Sequence, residues 1–392
     1  RIPFFSGTHD SVLSANHSEM KKILHILVLP QMAGSQRISL EILKNLPDDE
    51  FEKHVLFGTE ICGEKREECQ RLFEAAGAKV IYLKTLKRAI GLSDFQALIS
   101  IYKLCRQYRY DIVHTHSTKP GIIGRIGARL ARVPNIIHTV HGLSFHDYVK
   151  FPKWQFYWLC EMFASLFCDR IVLVNRYYAK YFRWLKSKTS TIYNGVDFSR
   201  LSTPSVFPQQ NETSSVNVLS VGRLDTQKDP LTLLKAAQIV IRQAPNVHFT
   251  IVGNGELYAD CERFIRENDL NTHITLAGWQ DNVQPFYATH DIFALTSIYE
   301  SFGLIFVEAG FHYLPTVATN VEGIPEVIKN EVTGLLTNPH DYKGTAKKIL
   351  QLVLDSRMRT DMGRKAHEWV TSQFTIDRMV RAYVELYNIE NR

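Results

Sequence analysis

Two glutamates, Glu300 and Glu308, are eight residues apart on either side of a turn that contains Gly303. The apolar run Ile292–Leu295 precedes them and is typical of a buried strand in a parallel sheet. On one continuous helix, a separation of eight residues would leave the carboxylates roughly 80° out of line. We therefore expect Glu300 in the loop after the strand and Glu308 two turns into the following helix, with both facing one crevice.

The turn between these glutamates, Phe302-Gly303-Leu304, has the composition of an anion-binding site. Glycine lets backbone N–H groups approach a ligand closely, and the start of a helix favours an anion such as phosphate. Open α/β sheets bind their ligands at the carboxyl ends of the strands, where this turn is predicted. An ordinary strand–turn–helix with two solvated glutamates has the same spacing, so spacing alone leaves both interpretations open.

Two cations, Arg223 and Lys228, follow the predicted strand Val216–Val221. Near a glycine turn they can neutralise a diphosphate, the arginine as a planar fork and the lysine as a point charge. A pair of surface cations would have the same sequence.

Histidines occupy two polar loops that follow predicted strands, at residues 114–121 and 139–142. His114, His116 and His141 can bind a sugar hydroxyl or a phosphate, or transfer protons. They can also be polar residues that cap strands. Their spacing in the sequence is not that of a metal site.

These segments together resemble the family 4 glycosyltransferases. The resemblance rests on ESFGLIFVEA at 300–309, HTVHG at 138–142, VGRLDTQKDP at 221–230 and NGVD at 194–197. The chain departs from the family pattern at Ala33, Asp229 and Glu322, where glycine is usual. The resemblance implies the GT-B fold, an α/β architecture of two Rossmann-like, doubly wound domains facing each other across a cleft.

The resemblance also implies roles for individual residues. The donor would be a nucleotide sugar, most commonly a UDP-sugar, with Glu308 on the ribose hydroxyls and Glu300 on the transferred sugar. No Asp-x-Asp loop stands at a plausible metal position, so no metal or other cofactor is expected. The residues expected in catalysis are Glu300, His141, Arg223 and Lys228, and those expected to bind the donor are Glu308, Gly34, Gly253, Trp279, Phe302, Gly303 and Leu304.

The implied reaction is transfer of a hexosyl or N-acetylhexosaminyl group with retention of anomeric configuration. Because no convincing nucleophile is evident for the donor's opposite face, we expect front-face transfer without a covalent intermediate. A lipid-linked or glycan acceptor in cell-surface polysaccharide synthesis fits this type. The alternatives are a GT-B nucleotide-sugar epimerase and a non-catalytic nucleotide-sugar-binding protein.

The composition of the chain limits the classes of protein to which it can belong. The chain has 392 residues, 45% of them hydrophobic and 22% charged, which indicates a globular protein of about two domains. Its six cysteines lack paired spacing and are expected to be free thiols in a reducing cytoplasm. The net charge of +6 comes from the amino-terminal half, since the other half is net acidic. An anionic partner is therefore expected, and no nucleic-acid-binding signature is present.

Aromatic and basic segments specify the expected partner further. The segments 154–167 and 176–188 have the composition of helices in a membrane interface, although core packing would also account for them. We predict a cytoplasmic protein, peripheral at the inner face of the cell membrane, that meets an anionic lipid surface and a lipid-linked acceptor.

Alternating strand and helix patterns predict the domain organisation. Residues 1–19 are interpreted as a leader or tag-like segment and 20–198 as the acceptor-binding domain. A linker at 199–215 precedes the nucleotide-sugar-binding domain at 216–370, and a helix at 371–392 crosses back to the first domain. The patterns also predict a helix at Tyr177–Leu185, a strand at Thr191–Tyr193 and an Asn194-Gly195 turn.

Overall fold

The computed structural model describes residues 20–88, 91–202 and 215–389, and the expected α/β fold with two doubly wound sheets is confirmed there. The predicted leader and most of the predicted linker, residues 203–214, lie outside the described residues. The first sheet contains β1 (Lys21–Ile26), β2 (Phe51–Phe57), β3 (Lys79–Tyr82), β4 (Ile112–His116), β5 (Asn135–Val140), β6 (Arg170–Leu173) and β7 (Thr189–Thr191).

The strands of the first sheet pair in the order β3-β2-β1-β4-β5-β6-β7, and every pair is parallel. Chain order reverses between β1 and β4, which creates a switch point where ligands bind. Every residue of β4 and β5 is buried, as expected for a parallel sheet covered on both faces. β4 nevertheless reads Ile-Val-His-Thr-His, so three polar side chains must find partners inside the protein.

The second sheet repeats this plan with β8 (Val216–Val221), β9 (Val247–Val252), β10 (Ile274–Gly278), β11 (Ile292–Leu295), β12 (Thr316–Thr319) and β13 (Gly334–Thr337). Its order is β10-β9-β8-β11-β12-β13, again all parallel. The switch point lies between β8 and β11, and the segments that follow these two strands carry the predicted cations and glutamates.

Helices connect the strands and cover both sheets. With the first sheet they are α1 (Gly34–Lys44), α2 (Glu64–Ala75), α3 (Ser93–Tyr108), α4 (Thr118–Leu130) and α5 (Lys153–Ala164). In the carboxyl-terminal half they are α6 (Pro230–Gln243), α7 (Tyr258–Glu267), α8 (Gln284–Thr289), α9 (Leu304–Phe311), α10 (Ile324–Val327), α11 (Tyr342–Leu354), α12 (Ser356–Gln373) and α13 (Ile376–Asn388).

The last helix packs on the first sheet, far from its neighbours in the sequence. Met379, Tyr383 and Tyr387 of α13 share a buried core with residues of β1 and α1. The chain returns beside residue 196, where Val196 N donates to Phe374 O at 2.8 Å. A Cβ on Gly195 would lie 2.5 Å from the Thr375 carbonyl oxygen, so this crossing requires glycine.

Three local predictions are corrected by the structure. Residues Tyr177–Leu185 do not form an α-helix but two 3₁₀ segments, Tyr177–Tyr181 and Arg183–Lys188, because Leu185 departs from helical angles. β7 ends at Thr191, two residues before the predicted end. The Asn194-Gly195 pair lies in an irregular segment without a turn, and the glycine is needed for the chain crossing instead.

Candidate active site

A cleft of about 740 Å³ opens between the two sheets at their switch points. Segments that follow β1, β4 and β5 of the first sheet face segments that follow β8 and β11 of the second. Eight of the predicted site residues line this cleft: Gly34, His141, Arg223, Lys228, Glu300, Phe302, Gly303 and Leu304.

Three helices begin at this cleft. α1 begins at Gly34, α4 at Thr118 and α9 at Leu304, and all three residues line the cleft. Each start contributes N–H groups without helical partners and the positive end of a helix dipole. Gly303 caps α9 with φ +79°, and a Cβ there would lie 2.5 Å from the Phe306 ring. The cleft is therefore built to hold a strongly anionic group.

We call the first sheet with its helices the first lobe and the second sheet with its helices the second lobe. An ion pair between Lys228 and Glu300 lies in the part of the cleft wall that the second lobe provides. Both side chains are largely buried, with 12% and 14% of their surfaces exposed. Backbone contacts hold the two loops together, since Ile298 N donates to Gln227 O at 2.8 Å. Gln227 Nε2 also donates to Tyr299 O at 3.1 Å. The cation and the carboxylate are thus presented from rigid, mutually braced loops.

The second predicted cation, Arg223, is more accessible, with 63% of its side chain exposed. Its guanidinium contacts Asp225 at 3.0 Å and donates to Gln227 Oε1 at 2.8 Å. These contacts hold the fork at the cleft wall while leaving it open to a ligand. Lys228 and Arg223 both line the cleft, as the hypothesis of a diphosphate site requires.

Asp229 stands where the family pattern has glycine, and its backbone explains that preference. Its φ is +46°, in the left-handed region that favours glycine. The carboxylate offsets the cost by accepting hydrogen bonds from Thr232 Oγ1 at 2.7 Å and by contacting His340 Nδ1 at 2.8 Å. These contacts stabilise the loop that carries Lys228 with aspartate at this position.

Glu308 lies one turn into α9, one turn less than predicted. Burial raises the pKa of its carboxyl group, and the Arg37 charge and the Tyr287 hydroxyl act against this rise. Arg37 belongs to the first turn of α1, so its charge acts on Glu308 from the opposite lobe. Arg37 was not among the predicted site residues, although a cation in the first turn of a helix, where acids are usual, was a signal.

His141 follows β5 and lines the cleft from the first lobe. Burial lowers the pKa of its imidazole to about 4, so the ring is neutral at physiological pH. Its Nε2 lies 2.9 Å from Nδ1 of His116, which is fully buried. His116 and His114 are therefore behind the cleft wall rather than in it.

A third buried histidine, His25 of β1, completes a cluster with His114 and His116. One ring nitrogen from each lies within 4.8 Å of the other two, a separation compatible with a metal ion. Sequence spacing did not reveal this cluster because His25 is brought in by strand pairing, with His25 opposite His114 in the register.

Three predicted donor-binding residues, Gly253, Trp279 and Glu308, are not among the residues that line the cleft. Gly253 packs against Gly222, whose carbonyl oxygen would lie 1.9 Å from a Cβ. Trp279 is 67% exposed and donates through Nε1 to Asp281 at 3.0 Å. The Phe302 ring is buried and packs against the Phe374 ring, with 5.3 Å between the ring centroids. Only the backbone of Phe302 can therefore contact a ligand.

The lobes are joined by polar contacts beside the cleft. Glu326 of α10 accepts from the backbone N–H groups of Arg176 and Tyr177, at 2.8 and 2.9 Å. It also accepts from Tyr193 Oη at 2.8 Å. Glu322, at φ +41° where glycine is usual, lies 3.2 Å from Tyr178 Oη of the first lobe. Neither contact was expected, because each depends on how the lobes meet.

Two family models match the chain side by side. Residues 32–200 match the model described as Glycosyltransferase Family 4, and residues 204–369 match Glycosyl transferases group 1. A relative from Escherichia coli named UDP-Gal:alpha-D-GlcNAc-diphosphoundecaprenol alpha-1,3-galactosyltransferase is 32% identical over 96% of this chain and 98% of its own length. The capsular polysaccharide biosynthesis glycosyltransferase CapM from Staphylococcus aureus is 26% identical over 79% and 85%.

Solved structures share the fold. The Anabaena protein Alr3699/HepE, solved in complex with UDP and glucose, superposes with a TM-score of 0.76 at 20% identity. The match covers 93% of this chain and 98% of that one. The lipopolysaccharide outer core galactosyltransferase WaaB gives a TM-score of 0.71 at 15% identity, covering 93% and 99%.

Proposed function

Because the chain belongs to the family 4 glycosyltransferases of bacterial glycan synthesis, with the GT-B fold, we propose that it transfers a hexosyl or N-acetylhexosaminyl group from a UDP-sugar. The acceptor is a lipid-linked glycan, and the anomeric configuration is retained. The observation that carries this proposal is the convergence of Lys228, Arg223 and three helix starts on one cleft that also holds Glu300.

The chemical demand is the departure of a nucleoside diphosphate. As the bond between sugar and phosphate breaks, negative charge grows on the leaving oxygen, and fixed cations and dipoles stabilise it. Lys228 and Arg223 supply the charges, and the start of α9 at Leu304 supplies N–H groups. Lys228 already pairs with Glu300, so the diphosphate would compete with this carboxylate for the lysine.

The sugar is held between the lobes. Glu300 contacts it from the second lobe, and neutral His141 faces it from the first. Glu308 binds the ribose hydroxyls, and the Arg37 charge favours the ionised form of its carboxyl group. We assign the transfer to the front face, where the acceptor oxygen bonds to the anomeric carbon while its proton passes to a leaving phosphate oxygen.

Helix α5 supports the lipid-linked acceptor. One face packs on the first lobe's core through Trp154, Trp158 and Met162. The opposite face, together with the 3₁₀ turn that follows the helix, exposes an apolar stripe, defined by Phe156, Leu159 and Phe163 of α5 and by Leu166 of the turn, whose members are 56–62% exposed. For segment 154–167 the sequence left core packing and a membrane interface open. One face of the segment packs into the core, and the other presents apolar surface that a membrane could cover.

The charges around this apolar stripe favour an anionic lipid surface. Glu161, the acidic residue of α5, is buried and pairs with Arg125 at 2.9 Å. Lys150 and Lys153 are exposed at the start of the helix. A stripe flanked by cations, with no exposed acid on the helix, suits an anionic membrane interface. None of the helices in the described ranges combines the length and hydrophobicity that a membrane crossing requires.

An aromatic surface links this stripe to the cleft. The His146 ring of the first lobe stacks on Tyr299, the neighbour of Glu300, with 4.1 Å between centroids. Tyr148 lies beside them and is 45% exposed, and Phe151 is 79% exposed. Aromatic faces can carry a sugar ring, and the lipid of the acceptor would extend from there toward α5. We therefore place the enzyme at the inner face of the cell membrane.

The decisive experiment is a donor panel. The protein is incubated with UDP-sugars and membrane lipid extract, and the products are identified by mass spectrometry and by the configuration of the new linkage. One UDP-sugar is expected to give a lipid-linked product and to release UDP only when the extract is present. Conversion of the UDP-sugar to its epimer without extract, and without release of UDP, would point to an epimerase, and no product with any nucleotide sugar would refute the proposal.

Binding of the protein to an anionic membrane is tested separately, by co-sedimentation with vesicles of phosphatidylglycerol or phosphatidylcholine. Phe163→Ser on the apolar stripe is expected to weaken binding to the anionic vesicles about tenfold, because burial of one aromatic side chain is lost. Phe95→Ser is the matched control, since Phe95 is 69% exposed on α3, outside the stripe. Equal loss in both variants, or no binding by the unaltered protein, would contradict membrane docking through α5.

A further inference from the structure

A buried tyrosine lies behind Glu308, and its hydroxyl has no hydrogen-bond partner. Tyr287 belongs to α8 and is 1% exposed. Its Oη makes no hydrogen bond of ordinary geometry with any residue that the structure describes. Buried hydroxyl groups are normally paired, so an unpaired one beside a residue expected to bind the donor requires an explanation.

The ring of Tyr287 is held in place by aromatic neighbours. It lies parallel to the His312 ring, with 5.6 Å between the centroids and 8° between the planes. It also contacts Phe293 of β11, with 5.9 Å between the centroids. A second contact joins α8 to the end of α9, since Gln284 Oε1 lies 3.1 Å from His312 Nε2. Tyr287 therefore has a fixed position relative to α9.

Glu308 is on the face of α9 that Tyr287 contacts. Glu308 and His312 are four residues apart, and His312 N donates to Glu308 O at 3.2 Å, so the two side chains share one face. Burial raises the pKa of both Tyr287 and Glu308. The Glu308 charge adds to the rise at Tyr287, whereas the Tyr287 hydroxyl opposes the rise at Glu308. The hydroxyl and the carboxyl group are therefore close neighbours.

The other groups near Glu308 are less suited to fix its carboxylate. Burial lowers the pKa of His312 to about 4, so its ring is neutral at physiological pH, and its Nε2 already contacts Gln284. The Arg37 charge acts from the opposite lobe, so its effect depends on how closely the lobes approach. Tyr287 belongs to the same lobe as Glu308 and keeps its position when the lobes move as rigid bodies.

We propose that Tyr287 is a positioning residue for the nucleotide: when a nucleoside diphosphate is bound, its hydroxyl donates to one oxygen of the Glu308 carboxylate and orients the other oxygen toward the ribose hydroxyls. A carboxylate has two oxygens with about four lone-pair sites, so it can accept from the tyrosine and the ribose together. Tyr287 does not touch the ligand and acts through Glu308. This inference rests on the contact between Glu308 and ribose in the proposed function.

The test compares two ligands, UDP and the 2′,3′-dideoxy form of UDP, which lacks both ribose hydroxyls. Their affinities for the unaltered protein and for Tyr287→Phe are measured by calorimetry. The unaltered protein is expected to prefer UDP. Tyr287→Phe is expected to bind UDP about tenfold more weakly and the dideoxy ligand equally well, because one hydrogen bond to a charged group is lost.

Folding is monitored by urea unfolding of the same proteins. Tyr287→Phe is expected to unfold at the same urea concentration as the unaltered protein or at a higher one, because the substitution removes an unpaired buried hydroxyl. Tyr342→Phe is the matched control, since Tyr342 of α11 packs on the core of the second lobe and does not line the cleft. It should leave both affinities unchanged.

An undiminished preference for UDP in Tyr287→Phe would overturn the inference, and so would equal weakening of both ligands, which would indicate a structural role. In a Glu308→Ala background, Tyr287→Phe should have no further effect on UDP affinity, and a further loss would also overturn it. Equal binding of both ligands by the unaltered protein would remove the ribose contact and the inference with it. If Tyr287→Phe loses the preference but the donor panel gives no product, the proposed transfer fails and the role of Tyr287 stands.

Discussion

Replacing Glu322 by glutamine is expected to stabilise the protein at pH 8 and to change little at pH 5. Glu322 is 8% exposed at the junction of the lobes and lies 3.2 Å from Tyr178 Oη, which also contacts Ser301 Oγ at 2.9 Å. Burial raises the pKa of its carboxyl group from 4.5 to about 7, with the negative charges of Glu300 and Asp147 contributing.

The sign of this pH dependence follows from the number of protons that Glu322 binds in the folded and in the unfolded state. Between pH 4.5 and 7 the unfolded chain has released the Glu322 proton while the folded protein still holds it. The free energy of unfolding therefore falls as pH rises through this window, by about 1.4 kcal/mol per pH unit. Above pH 7 the full loss is about 3 kcal/mol, a large part of the 5–15 kcal/mol typical of a folded domain. Glutamine has no charge to bury, so E322Q avoids this loss.

Urea unfolding followed by tryptophan fluorescence at pH 5, 6, 7 and 8 measures the difference between the two proteins. Glu331→Gln is the matched control, because Glu331 has a left-handed backbone, φ +64°, but a side chain that is 70% exposed. Parallel pH profiles for the unaltered protein and E322Q would refute the reasoning. A lower stability of E322Q at pH 8 would do the same.

Three further substitutions test the cleft and the crossing of the chain at Gly195. Lys228→Ala is expected to slow sugar transfer about 10²–10³-fold in a UDP-release assay, as loss of a transition-state contact does, whereas exposed Lys235→Ala on α6 should have no effect. Glu308→Gln should weaken UDP binding about tenfold by calorimetry, and unchanged affinity would remove the ribose contact. Gly195→Ala should lower the free energy of unfolding by about 1–3 kcal/mol through overpacking, whereas Gly91→Ala, with no atom within 4 Å of its Cβ, should not.

Much of the architecture could be predicted from the sequence because its strands are short apolar runs with clear ends. Ile292–Leu295 and Val216–Val221 are strands with the predicted bounds, and the turns after them hold the predicted cations and glutamates. Local patterns did not suffice for segments 177–185, where the aromatic side chains of Tyr178 and Phe182 are buried in the core and the backbone takes 3₁₀ turns instead.

The residues that sequence reasoning missed are those that long-range contacts bring to the site. His25 is 89 residues from His114 along the chain and joins it only through strand pairing. Arg37 belongs to the first lobe, yet its charge acts on the pKa of Glu308 in the second. Asp229 and Glu322 stand where the family pattern has glycine, and both have positive φ. The family's glycines therefore indicated correctly which backbone positions are special. It did not show that each replacement side chain gains its own hydrogen-bond partners.

The position of α13 has a consequence for biosynthesis. Its tyrosines fill part of the first lobe's core, and Lys21 Nζ of β1 donates to Asn388 Oδ1 at 2.7 Å. During translation the first lobe emerges early, yet it stays incomplete until residues 376–388 have left the ribosome. A nascent chain that stops before them would present unfilled apolar surface to chaperones and proteases, so quality control of the amino-terminal half depends on the final turns of the polypeptide.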